Sequence, residues 1–146
     1  MGKYYVTITG VALTTTNDIL TLIAASNRRA RVFEIGIQGL GTASAANTVR
    51  VARSTAGTTP GGSQTPAKLT SDELAAATLA HTTWATQPTI AAADVLLRIG
   101  INANGGAYRW VAMPGKEIEL RNLEQLSFRG ELGTSTVTMS VGIEED

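Results

Sequence analysis

The feature that most limits what this chain can fold into is alternation with a period of two. Val137, Met139, Val141 and Ile143 alternate with Thr138, Ser140 and Gly142. Successive side chains of a strand point to opposite faces, so a run like this builds one apolar and one polar face; a helix, with about 3.6 residues per turn, would scatter it. The pattern recurs at Val95, Leu97, Ile99 and Ile101, at Phe33, Ile35 and Ile37, at Tyr108, Trp110 and Ala112, and in shorter form at Val6 and Ile8, Val49 and Val51, Ile118 and Leu120, and Leu126 and Phe128. β-branched residues dominate these runs and suit a pleated surface. The stretch from Asp18 to Ala25 is almost continuously apolar and reads as a strand buried on both faces in preference to a helical turn.

Turn chemistry separates the runs. Asn102-Ala103-Asn104-Gly105-Gly106 reads as a hairpin connection, Pro114-Gly115 as a tight turn, and Gly130 to Gly133 brackets another. About eight short strands with turns between them predict an all-β, single-domain antiparallel sandwich over residues 1–146. One short helix is expected. Thr70-Ser71-Asp72-Glu73 fits a capping box, and Leu74 to Leu79 follows with good helix formers. Ser54 to Leu69, rich in Gly, Thr, Ser and Pro, and His81 to Ala93, which contains Pro88, read as long loops suited to reaching neighbours.

A chain of 146 residues can bury a core large enough to need no staple. The absence of cysteine removes disulfides, Cys-based zinc sites and thiol nucleophiles. Twelve basic residues balance twelve acidic ones, so the cationic excess that phosphate backbones demand is missing, and no nucleic-acid partner is expected. The cluster Asn27-Arg28-Arg29-Ala30-Arg31 is expected at a turn, paired with carboxylates. Charged residues make up 16% of the chain, against about 25% in ordinary soluble domains. Few charges and zero net charge favour association. No apolar run approaches the roughly 18 residues of a membrane span, and no signal-peptide pattern opens the chain, so neither a membrane partner nor secretion is expected.

Catalytic constellations are missing. His81 is the only histidine and has just Thr82, Thr83 and Trp84 beside it, which is too little for a metal or acid–base site. No serine sits in a Gly-x-Ser-x-Gly elbow. Glu117 and Glu119 share a strand face about 7 Å apart, a spacing glycosidases use, but they read as a solvated pair facing arginines. The Ala56–Gly62 loop lacks the strand–loop–helix context of a phosphate cradle, and Asp18, Asp72 and Asp94 stand alone. Glu144-Glu145-Asp146 reads as a solubilising tail. No cofactor, metal or enzymatic activity is expected. Trp110 belongs in the core or an interface by its phase, while Trp84, in a loop stretch, is the better anchor for another subunit.

Three segments resemble small virion proteins encoded beside the major capsid protein in tailed phages: Asn27-Arg28-Arg29-Ala30-Arg31-Val32-Phe33-Glu34-Ile35-Gly36-Ile37, Val51-Ala52-Arg53-Ser54-Thr55-Ala56-Gly57-Thr58 with Thr65-Pro66 following, and Tyr108-Arg109-Trp110-Val111-Ala112-Met113-Pro114-Gly115-Lys116-Glu117. The closing strand to Ile143-Glu144-Glu145 also fits, so the resemblance runs from about Leu20 to the C-terminus. Met113 stands where a small residue is usual and Lys116 where glycine is common. The resemblance implies a jelly-roll-like sandwich that acts as a decoration (cement) protein. It would bind the major capsid protein on the outer surface of the virion shell, with itself as further partner in a homotrimer; a tail- or fibre-associated structural or carbohydrate-binding module is the alternative. Expected exposure at loops and termini singles out Tyr4, Tyr5, Arg28, Arg29, Pro60, Trp84 and Arg109 as contact residues, and burial in the core would remove any of them.

Overall fold

The computed structural model describes residues 1–146. Twelve strands form two six-stranded antiparallel sheets. They are β1 (Gly2–Ala12), β2 (Asp18–Ile23), β3 (Arg29–Leu40), β4 (Ala46–Ser54), β5 (Thr58–Gln64), β6 (Ala67–Lys68), β7 (Leu79–Thr86), β8 (Val95–Asn102), β9 (Asn104–Val111), β10 (Ile118–Arg121), β11 (Gln125–Leu132) and β12 (Thr136–Glu145). In the first sheet β3, β12, β1 and β6 lie side by side, and β9 and β10 follow one another along the outer edge of β3. The second sheet runs β5-β7-β2-β11-β4-β8.

The alternating runs supply the core between the sheets. Val137, Met139, Val141 and Ile143 of β12 are all buried, opposite Leu20, Leu22, Leu126 and Phe128 of the second sheet. The stretch from Asp18 is the buried strand β2. Phe33 departs from its predicted inward phase. A bulge in the β12–β3 pairing at Gly142/Ile143 lets Val32 and Ile35 both face inward and turns Phe33 out across Gly142, where a Cβ would lie 2.6 Å from the Phe33 ring.

Local sequence misleads in three places. No helix forms over residues 70–79, and the one helical turn is a 3-10 turn at Ala92–Asp94. Six or so helix formers are too few to stand alone, and the sheet end offers better partners for this backbone. Glu73 does not cap Thr70; its carboxylate accepts the Lys3 N–H at 2.6 Å. The 54–69 stretch is no loop either, since Thr58–Gln64 pairs along β7, most of which, from His81 to Thr86, lies in the second expected loop. Finally, β8 and β9 do not pair across Asn102–Gly106, because β8 belongs to the second sheet and β9 to the first, so Ala103 is a corner between layers. No helix is long and apolar enough to cross a membrane.

The two outer faces differ. That of the first sheet is open. That of the second is roofed by Trp84 and by the segment after β7, which is pinned by the isolated Thr55–Thr89 bridge. Under this roof Asp18 and Arg129 form an ion pair with a 2.6 Å contact.

Candidate interaction surface

One end of the sandwich combines rigid turns, exposed apolar side chains and arginines. β1 starts there and β12 finishes there, with Gly2 opposite Glu145. Two tight turns meet at this end. Ala25–Arg28 joins β2 to β3 and Arg121–Glu124 joins β10 to β11. Ala24 N–H donates to Glu124 O, Leu123 N–H to Ala24 O, and Asn122 N–H to Arg28 O, at 3.0–3.2 Å. Stitched in this way, the turns offer their side chains on a fixed frame.

The second turn has an unusual residue. Asn122 and Leu123 have φ of 41° and 70°, and Glu124 N–H closes on Arg121 O at 2.9 Å, the pattern of a type I′ turn. Such turns favour Asn-Gly, because a side chain at positive φ crowds the backbone. Asn122 is well chosen. Leu123 is not: an L-residue there carries about 1–2 kcal/mol of strain, and its side chain is 59% exposed, so packing within the chain does not offset it.

Around this turn stand Met1 at 75% exposure, Leu74 at 83%, and the exposed Leu69 and Leu79. Leu74 belongs to a strap, residues 70–78, tied down by side chains of β1 and β12. Tyr4 donates its hydroxyl to Leu74 O at 2.9 Å, and the buried Glu145 carboxylate accepts the N–H groups of Ala77 and Thr78. A cavity of about 240 Å³ opens between strap and termini, lined in part by Met1, Tyr4, Arg28, Leu74 and Ala75.

The structure sorts the residues expected from sequence to make contacts. Arg28 is exposed beside this cavity with no ion pair. Arg29 is at the same end, its guanidinium held by Asp146 at 2.6 Å and facing Glu119 at 3.7 Å. Arg31 joins the same carboxylates, so two of the three arginines pair as the sequence suggests, though from the first residues of β3, while Arg28, in the turn itself, does not. Tyr4 leaves the set, since it is 3% exposed and part of the core. Tyr5 and Arg109 are far along the open face of the first sheet, joined through Glu34: Tyr5 Oη donates to Oε2 at 2.6 Å and Arg109 Nε to Oε1 at 2.5 Å. Those two bonds, Arg109 first, hold the Glu34 carboxyl below its ordinary range, and the Glu34 bond raises the Tyr5 phenol. Pro60 is exposed on the edge strand β5, where its missing N–H costs no ladder bond. Trp84 is turned onto its own sheet. It is half-buried, donates Nε1–H to Thr21 Oγ1 at 2.9 Å, packs on Gly57 and stands edge-on to His81.

The C-terminal acidic run is not a loose tail: Glu144 faces Lys3, Glu145 anchors the strap, and Asp146 pairs with Arg29 and Arg31. Glu117 accepts the Gly115 N–H, and Glu119 meets Arg29, Arg31 and Arg121; both carboxyls are held below their ordinary range, Glu117 chiefly by backbone N–H groups and Glu119 chiefly by Arg121. Neither suits a general acid that must hold its proton near neutrality. His81 is 8% exposed, and neither ring nitrogen finds a hydrogen-bond partner. Ser127, whose hydroxyl donates to Asp18, is sealed at 0% exposure.

Leu123, Leu74 and Glu145 were not among the residues expected from sequence. The readable signal was Asn122 followed by leucine where the turn wants glycine; the strap, which depends on contacts across about 70 residues, gave none. No protein-family model, curated protein or solved structure matches this chain.

Proposed function

We propose that this chain is a virion structural protein that decorates the outer surface of a tailed-phage capsid, binding the major capsid protein lattice and bracing the shell. The observation that carries this reading is the end of the sandwich just described. It offers exposed Met1, Leu69, Leu74, Leu79 and Leu123 among arginines on a hydrogen-bonded frame. Methionine and arginine are enriched where proteins meet, and a rigid frame lowers the ordering cost of association. The phage-like segments named above give the partner, and the low charge of the chain agrees with life in an assembly.

The mechanism is mechanical. Each copy contributes a modest contact, and copies held on a symmetric lattice act together, so release of one site leaves the others engaged. The sandwich suits this task because its long strap is tied to β1 and β12 and its roof segment is pinned by the Thr55–Thr89 bridge. The test is co-sedimentation of the purified chain with capsids assembled from the same genome without it. Saturable binding at a fixed number of copies per capsid protein supports the reading, and a supernatant that keeps all of the folded protein overturns it.

A further inference from the structure

The Leu123 turn is strained, rigid and solvent-facing, so its cause lies outside the isolated chain. We propose that the turn Arg121–Glu124 of one copy seats Leu123 in the 240 Å³ cavity of a second copy, the one lined by Met1, Tyr4, Arg28, Leu74 and Ala75. The strain points first to a contact. Glycine would relax the turn, yet the position holds a large apolar side chain that stays 59% exposed. The frame points to a preformed one: backbone bonds to Ala24 and Arg28 fix the direction of the turn before any partner arrives.

The cavity fits as the receiving side in both shape and charge. Its apolar lining comes from Met1, Leu74, Ala75 and Ala77, and its charged lining is Arg28, Asp146, which Arg29 and Arg31 already hold, and two carboxylates bonded to backbone N–H groups but to no cation, Glu73 and Glu145. The Leu123 turn carries Arg121 two residues away, with its side chain 68% exposed. An apolar tip beside Arg121, whose Nε is held by Glu119 while its side chain stays exposed, thus meets an apolar hollow that carries the carboxylates of Glu73 and Glu145. The two parts are neighbours within one molecule. Arg28 and Asp146 line both the cavity and the shallow depression that runs to Asn122. Because the turn and the cavity occupy the same end, the proposal places copies around a rotation axis at that end, the arrangement in which such a contact closes.

This contact deepens the decoration reading by supplying the link between copies, but it is tested without a capsid. The chain has no cysteine, so any disulfide is an introduced one. Leu123→Cys and Ala75→Cys proteins, purified separately and mixed under mild oxidation, should give a mixed covalent dimer. Failure of the two folded proteins to cross-link at the highest soluble concentration would overturn the proposal, as would bonding of Leu123→Cys only to itself. Leu123→Gly supplies the second arm. It should melt no lower than the parent chain while its self-association, read by light scattering, weakens at least tenfold; unchanged association overturns the contact. Capsid binding without the mixed disulfide removes this contact and leaves decoration standing. The mixed disulfide without capsid binding does the reverse.

Discussion

Two carboxylate–guanidinium sites on opposite faces of the sandwich use the same chemistry in different surroundings. Asp18 holds Arg129 Nε at 2.6 Å and takes hydroxyl bonds from Thr21 and Ser127. Glu34 holds Arg109 Nε at 2.5 Å and takes a hydroxyl bond from Tyr5. The side chains of the first pair are 9% (Arg129) and 0% (Asp18) exposed; those of the second are 68% (Arg109) and 15% (Glu34) exposed. The roof causes the difference. Pro88 O accepts Arg129 Nη2 at 2.7 Å and Trp84 covers Thr21, whereas nothing lies over Arg109. Partners of the same chemical kind therefore carry different stakes, because water stands ready to replace a lost partner on the open face and is shut out beneath the roof.

The largest expected effect follows from removing one buried partner. Asp18→Ala leaves the Arg129 guanidinium uncompensated and should lower unfolding free energy by about 3–5 kcal/mol, read as a fall in urea midpoint. A loss no greater than that of an open-face variant would erase the distinction between the faces. Trp84→Phe keeps the ring over Gly57 but drops the bond to Thr21, for an expected loss of about 1 kcal/mol; a larger loss would show that the roof itself, rather than one bond, guards the pair. On the open face Arg109→Ala should leave the thermal midpoint within experimental error of the parent and erase whatever salt dependence that pair contributes.

The open face also predicts the acid behaviour. The Glu34 carboxyl titrates below its ordinary 4.5 because Arg109, and then Tyr5, stabilise the charged form. Its stabilising share is thus complete above the unfolded value and disappears as pH falls through the lower, folded one. Glu34→Gln should lose that share at pH 7 and flatten the acid limb, so that variant and parent melts converge as pH falls through the folded value of Glu34; an acid limb unaltered in shape would assign the effect to other carboxylates.

What could be read in advance follows the same division between near and far partners. Alternation placed β12, β8 and β11 because each of those strands faces a core on one side, a fact written locally. β5 was hidden, because Thr-Thr-Pro-Gly-Gly-Ser-Gln has the composition of a loop and becomes a strand only through its pairing with β7. Thr70–Leu79 had the marks of a helix, but Tyr4 and Glu145 capture its backbone from across the chain. Tyr4 itself looked like an exposed terminal residue until β12 and the strap closed around it. At the candidate surface, Arg28 and Arg29 were legible as a basic turn. Leu123 was legible only as a leucine after Asn122, since its meaning depends on a backbone angle.

The most direct test of the account is an electron-microscopy reconstruction of capsids saturated with this chain. The account predicts ordered copies on the outside of the shell that touch one another through the end bearing Leu74 and Leu123. Density confined to a tail or fibre, or isolated copies meeting the shell through the open face around Glu34 and Arg109, would contradict it.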